Sequence, residues 1–174
     1  MNRIRVIPVL LVSQGGIVKP RAFKGDAYVG DPLNILRIFN DKEVDEIFVI
    51  DVASQAPDFE AIETCASECF MPFGYGGAVR TFDDAQRVFG AGVEKVCVQS
   101  SAIDPSHRLV SEIARAFGSQ SVVVSIDARK RLFSGYRAVV SRGRRDTGWA
   151  PDALAKSLES AGTGEVLLTR VEKE

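Results

Sequence analysis

Six places in this chain could do chemistry, each at the end of an apolar run: Leu11 in RVIPVLLV, Asp51 in EIFVID, the turn GYGGAV, Gln99-Ser100 after KVCV, Asp127 in SVVVSID and Thr169-Arg170 in EVLLTR. A carboxylate ending a buried run is costly unless it meets a polar cavity or a donor. Asp51 and Asp127 must therefore face a ligand or be satisfied by their own loops. Asp127 is the better acid–base candidate; the other reading is a carboxylate that caps the following loop. Leu11 holds the matching point of the first run and can neither take nor give a proton. In GYGGAV the glycines Gly76 and Gly77 would let backbone N–H groups approach a phosphate, with Gln99 and Ser100 adding donors. A plain tight turn is the alternative, since no Gly-Lys-Ser/Thr follows and the dinucleotide fingerprint is incomplete. Lys19 follows another glycine turn in VSQGGIVKP, where a phosphate could also sit.

The opposite ends of the runs carry a second set. Arg5, Glu46, Lys95 and Glu165 each begin or precede an apolar run. Alternating charges at matching height can close into a salt-bridged ring and act as a gate; scattered surface pairs of little worth are the plainer reading.

Positioning these groups requires strands that alternate with helices. The runs RVIPVLLV, EIFVID, CFMPFGYG, KVCVQS, SVVVSID and EVLLTR are continuous and rich in β-branched residues, as in a parallel sheet covered on both faces. Helices are expected over DPLNILRIFNDKEV, PDFEAIETCASE, TFDDAQRVFGAG, DPSHRLVSEIARAFG and WAPDALAKSLESAG. Asp31-Pro32 and Asp104-Pro105 supply N-caps with proline next, and Gly92, Gly118 and Gly162 close helices. Six such strands fit an open doubly wound sheet or the amino-terminal part of a (β/α)8 barrel, here one domain over residues 1–174. The barrel is favoured because the first and fifth runs, and the second and sixth, resemble each other at an offset of about half a barrel. With no helix after EVLLTRVEKE, the last strand is expected to lack cover, as in a fragment of a longer product that would aggregate or self-associate.

Composition narrows the classes. The chain has 174 residues, 22 Lys and Arg against 23 Asp and Glu, and no long apolar run. That balance excludes a basic nucleic-acid binder and gives no sign of a membrane surface, so the default location is cytoplasmic. Cys65 and Cys69 would share a helix face and could hold a metal or a redox switch. Small core residues in a reducing compartment are the plainer reading, which covers Cys97 too. His107 is the single histidine and is read as a surface residue at a helix start, so no metal site, triad or cofactor is inferred. Arg142, Arg144 and Arg145 could reach a phosphorylated substrate but read better as a solvated basic loop. Trp149 is expected to pack at the start of the next helix.

Over its whole length the chain resembles the cyclase subunit family of imidazole glycerol phosphate synthase. The residues that carry the likeness are RVIPVLLV with GGIVK, GDP before the first helix, MPFGYGGAVRTFDDA, GVEKV, FGSQSVVVSIDAR and AGTGEVLLT. The resemblance implies a (β/α)8 TIM barrel and a lyase that takes ammonia from a glutaminase docked on the barrel floor. At the top, ammonia attacks a ribulosyl nucleotide to give imidazole glycerol phosphate and an aminoimidazole-carboxamide ribonucleotide, an activity of histidine biosynthesis. By position, Asp127 matches one of two catalytic carboxylates and Lys19 the lysine of the first loop. Gly76, Gly77, Gln99 and Ser100 match a phosphate site, with Ala78 and Gln99 in place of the family's Gly and Asn. Arg5, Glu46, Lys95 and Glu165 match the family's ammonia gate.

Leu11 stands in place of the second catalytic aspartate. Loss of half of an acid–base pair commonly costs about two to four orders of magnitude in rate, whereas an ammonia conduit would be spared. The strand end LLV and the stretch AYVGDPLNILRIFNDKEVDEI resemble a branch tied to surface polysaccharide (lipopolysaccharide) clusters. There a glutaminase-like subunit and a sugar amidotransferase are implicated in turning an acetamido group into an acetamidino group. Two other readings stand: a working cyclase, with Asp51 or a water covering for the aspartate, and a scaffold that only activates its glutaminase.

Overall fold

A computed structural model describes residues 4–21, 24–132 and 135–171. The chain divides into two compact units, one of Met1–Lys19, Asp26–Val79 and Asp83–Val96, the other of Pro20–Gly25, Arg80–Phe82 and Cys97–Glu174.

The first unit is built on β1 (Val9–Ser13), most of β2 (Gly16–Arg21) and β3 (Lys24–Gly30), α1 (Pro32–Asp41), β4 (Ile47–Asp51), α2 (Phe59–Glu68), β5 (Phe73–Gly76) and most of α3 (Phe82–Gly90). Its strands lie in the order β3-β2-β1-β4-β5. β1 and β4 are parallel, with Leu11 opposite Ile50, and β4 and β5 are parallel, with Ile50 opposite Gly76. Ile47, Phe48 and Val49 of β4 and all of β5 are buried, as continuous apolar strands covered on both faces should be. α1 begins where expected: Asp31 accepts from the Asn34 N–H at 3.0 Å, with Pro32 next. Asp58 caps α2 in the same way, through the Ala61 N–H at 3.1 Å.

The second unit holds α4 (Arg108–Phe117), β7 (Val122–Arg131), β8 (Gly135–Val140), β9 (Arg145–Asp146), α5 (Pro151–Ala161) and β10 (Glu165–Arg170), after a strand β6 (Lys95–Val98) that the unit boundary divides. β7 is its axis, parallel to β10 and antiparallel to β8, which pairs in turn with β9. Leu109, Val110 and Ile113 of α4 and Leu154 and Leu158 of α5 are buried at helical spacing, so each helix turns one apolar stripe inward. Gly162, at φ +111, closes α5 in the left-handed region.

The six apolar runs and five helices stand where the periodicity places them, and the structure adds two features and several corrections. Leu11 does not lead into a loop: β1 turns back through Gln14 and Gly15, at φ +51 and +78, into β2, with Ser13 opposite Gly16. Two consecutive left-handed residues are what a two-residue hairpin requires. β7 also runs past Asp127 to Arg131 and folds back as β8, so Asp127 lies inside a strand and not at its end. Asp104 does not cap α4; its Oδ1 accepts from the Ser106 N–H at 2.9 Å, and His107 stands in the capping position. Nor is His107 a surface residue, being only 5% exposed. Trp149, just before α5, is 39% exposed. On β10, Val166 and Leu168 are exposed at 41% and 63%.

Candidate functional site

At the start of the strands in the first unit, Glu46 is buried and holds two cations. Its Oε2 accepts from Arg5 Nη1 at 3.0 Å and from Lys95 Nζ at 2.9 Å. The Lys95 side chain is 14% exposed and that of Arg5 43%, so the lysine arm is the drier one. Two hydrogen-bonded cations on one oxygen are what make a buried carboxylate tolerable. Glu46 Oε1 is buried with no hydrogen-bond partner among the described residues. Three of the four predicted ring residues therefore meet. Glu165, half-buried, opens β10 in the second unit, opposite Val123 of β7.

At the other end of these strands, Leu11 lies half-buried between Ile50 on β4 and Val18 on β2. Asp51 serves its own loop: Oδ1 accepts from the N–H groups of Ala53 and Ser54, both at 2.9 Å. Gly77, at φ +127, presses against it, since a Cβ there would stand 2.5 Å from the Asp51 carbonyl oxygen. Only glycine fits that approach. Ala78 follows at φ +53, a left-handed position that a Cβ makes costly. Burial first, and then the Asp51 carboxylate, push the buried Tyr75 hydroxyl well above its ordinary range. Lys19 is exposed on β2.

An open cleft of about 310 Å³ lies beside the β1–β2 turn, lined by Ser13, Gln14, Gly15, Gly16, Val18, Asp26, Tyr28 and Asp31. Sequence reasoning missed Asp26 and Tyr28 here. The signal was the alternation in KGDAYVG that makes β3 a strand.

In the second unit Gln99 and Asp127 form a pair. Gln99 Nε2 donates to Asp127 Oδ2 at 2.8 Å, and Asp127 is only 6% exposed. On its neighbours Asp127 faces Thr169 of β10 and Val139 of β8. Ser100 is exposed on the short 3-10 turn Ser100–Ala102 that follows Gln99. Burial pushes the Cys97 thiol up to about 12; a Ser125 backbone contact opposes the shift and the Asp127 charge adds to it. It is a protonated, inert thiol. Cys65 and Cys69 are likewise pushed up by burial, to about 11 and about 12. Among the described residues no group of three or more His, Cys, Asp or Glu could hold a metal ion.

The basic loop is partly tied down. Arg129 Nη1 donates to the Gly143 carbonyl at 2.7 Å, and Arg131 bridges Asp146 at 2.7 Å. The Gly148 N–H, followed by Arg131, holds the Asp146 carboxyl below its usual range. Arg144 and Arg145 are exposed and Arg142 is half-buried.

Among known proteins, the family model described as "Histidine biosynthesis protein" matches residues 5–174. A Pseudomonas aeruginosa protein provisionally named imidazole glycerol phosphate synthase subunit hisF2 is 45% identical over all of this chain and 70% of its own length. A Leptospira interrogans protein provisionally named as a HisF subunit of the same synthase is 42% identical over all of this chain and 70% of its own length. A Campylobacter concisus imidazole glycerol phosphate synthase subunit HisF is 40% identical, over 98% of this chain and 68% of its own length. Parallel strands with helical crossovers and this similarity along the chain agree: it belongs to the histidine biosynthesis protein family, is HisF-like, and has a fold of the (β/α)8 type.

Proposed function

We propose that this chain is a cyclase-like subunit that takes ammonia from a glutaminase and has diverged from ring closure toward acetamidino-group formation on a sugar of surface polysaccharides. The observation that carries the reading is Leu11. The family's paired acid–base chemistry needs two proton-transferring groups, and here one position holds an apolar side chain between Ile50 and Val18. Asp51 is a poor substitute, because its Oδ1 is spent on Ala53 and Ser54. The strand-start cluster of Arg5, Glu46 and Lys95 is assembled, which suits a chain that still admits ammonia.

In this reading the ammonia gate is Arg5, Glu46, Lys95 and Glu165, and Asp127, oriented by Gln99, is the remaining carboxylate. In the same reading Lys19, Asp51, Gly76, Gly77, Gln99 and Ser100 serve substrate and phosphate binding. Ammonia nitrogen adds to the carbonyl carbon of a sugar acetamido group and the C–O bond breaks, the oxygen leaving as water in the net reaction; activation of that oxygen falls to a partner sugar amidotransferase. The protein works in the cytoplasm, as one domain over residues 1–174.

The test supplies ammonium ions and the ribulosyl nucleotide to the native protein and to Leu11→Asp. The reading expects no imidazole glycerol phosphate from the native protein. Product at a rate typical of the family overturns it and makes the chain a working cyclase. A gain in the aspartate variant alone means that the nucleotide site survives and only the proton partner was lost.

A further inference from the structure

His107 is a buried side chain of the second unit whose two ring nitrogens both meet other segments, and no part of the chemistry above uses it. Its Nδ1 lies 2.7 Å from the Ala102 carbonyl oxygen and its Nε2 2.8 Å from Ser157 Oγ on α5. A carbonyl oxygen only accepts, so Nδ1 carries the proton and, in the neutral ring, Nε2 accepts from the Ser157 hydroxyl. The backbone of His107 is left-handed, at φ +47 and ψ +37, so the chain is turned sharply just before α4 to bring the ring inward.

Ala102 ends the 3-10 turn that begins directly after Gln99. The Ala102 N–H donates to the Gln99 carbonyl at 3.0 Å. Gln99 itself sits at φ −132 and ψ −86, outside the helical and strand regions, a conformation that persists only where its surroundings hold it. From there its side chain reaches Asp127 Oδ2 at 2.8 Å. One connected path therefore runs from Ser157 through the imidazole, the Ala102 peptide units and Gln99 to the Asp127 carboxylate.

We propose that His107 is a positioning residue: by holding the Ala102 end of the turn it fixes the unusual backbone of Gln99 and, through it, the orientation of Asp127. A leucine would fill the same space but hold neither the carbonyl nor the hydroxyl. An asparagine would keep a donor where Nδ1 stands and accepts a left-handed backbone readily. The role in turnover rests on the reading of Asp127 as the remaining carboxylate, whereas the structural coupling does not.

The experiment uses the full chain labelled with ¹⁵N. In the native protein, ring couplings must report the Nδ1–H tautomer; the Nε2–H tautomer overturns the proposal without any variant being made. The Gln99 side-chain amide is assigned by its disappearance in Gln99→Ala, and its broken-bond position is taken from Asp127→Ala. His107→Leu is expected to move the Gln99 signal toward that position and to speed its exchange with solvent, while His107→Asn leaves it near native. Unchanged Gln99 signals in a folded His107→Leu chain overturn the proposal. Where a turnover assay exists, His107→Leu should lower kcat roughly tenfold to a hundredfold with little change in KM. That loss should be absent in a Gln99→Ala background, while additive losses would mean a purely structural effect. A native chain without any ammonia-dependent activity defeats the functional reading and leaves the tautomer and Gln99 signals to decide the role of His107.

Discussion

Leu11 faces Ile50 and Val18 across its two strand pairings, and an aspartate there would bring a half-buried carboxylate among apolar neighbours. Leu11→Asp should therefore lower stability by about 1–3 kcal/mol, read as a shift in urea midpoint at constant slope. Ala78 works the other way. Its φ of +53 carries a penalty that glycine avoids, so Ala78→Gly should leave stability unchanged or raise it by up to about 1 kcal/mol. At Glu46 the two cations share one buried oxygen, and Lys95→Ala removes the drier of them. That variant should cost about 3 kcal/mol by the same measurement, because a buried carboxylate then keeps only the more exposed arginine. The Cys97 thiol offers a pH test. Its folded value, pushed up to about 12, lies above the ordinary value of 9.0, so the folded chain holds its proton where the unfolded chain has lost it. The associated stability is present below pH 9 and is lost as pH rises toward 12. Thiol reagents at pH 8 should react slowly with the native chain and quickly with the unfolded one; equal rates would contradict the burial.

Among the elements, β10 carries two exposed apolar residues. Among the described residues it pairs with β7 alone, and Val166 and Leu168 are exposed on one of its faces. An exposed apolar strand face invites association. Leu168→Lys should reduce self-association, measured by sedimentation at rising protein concentration, with little change in the unfolding midpoint. The two hairpins explain what was hard to read locally. VLLVSQGGIVKPR could be one strand with a loop or two strands with a turn, and only the pairing of Leu11 with Val18 decides it. In the same way SVVVSIDARKR changes from apolar to charged after Asp127, which looks like a strand end. The strand continues because β8 returns along it, with Arg129 opposite Arg137 and Lys130 opposite Tyr136. His107 was misread for a related reason. A polar residue in a Pro-Ser-His turn looks solvent-facing until Ala102 and Ser157 are brought to its two nitrogens.

For the molecule as a whole, near balance of charge and a single buried carboxylate held by two cations at the strand starts fit a partner docked by shape and local pairs more than by net charge. If the proposed function holds, adding the chain to its glutaminase should raise glutamine hydrolysis about tenfold or more. Glu46→Gln should weaken the transfer of ammonia more than it weakens that stimulation, which separates conduit from scaffold. Equal loss of both would favour the scaffold.

The order of strands and helices, the caps at Asp31 and Gly162 and the alignment of Arg5, Glu46 and Lys95 at strand starts are legible in the chain itself, because burial and turn chemistry act over a few residues. The same holds for Leu11 as an apolar residue within the first strand. What the tertiary structure alone decides is which polar groups meet. Gln99 and Asp127 are far apart along the chain, and Asp51 could have faced a ligand had Ala53 and Ser54 not taken its oxygen. Hydrogen bonds are short-ranged and directional, so a partner is set by where the backbone carries it, and no local pattern encodes that.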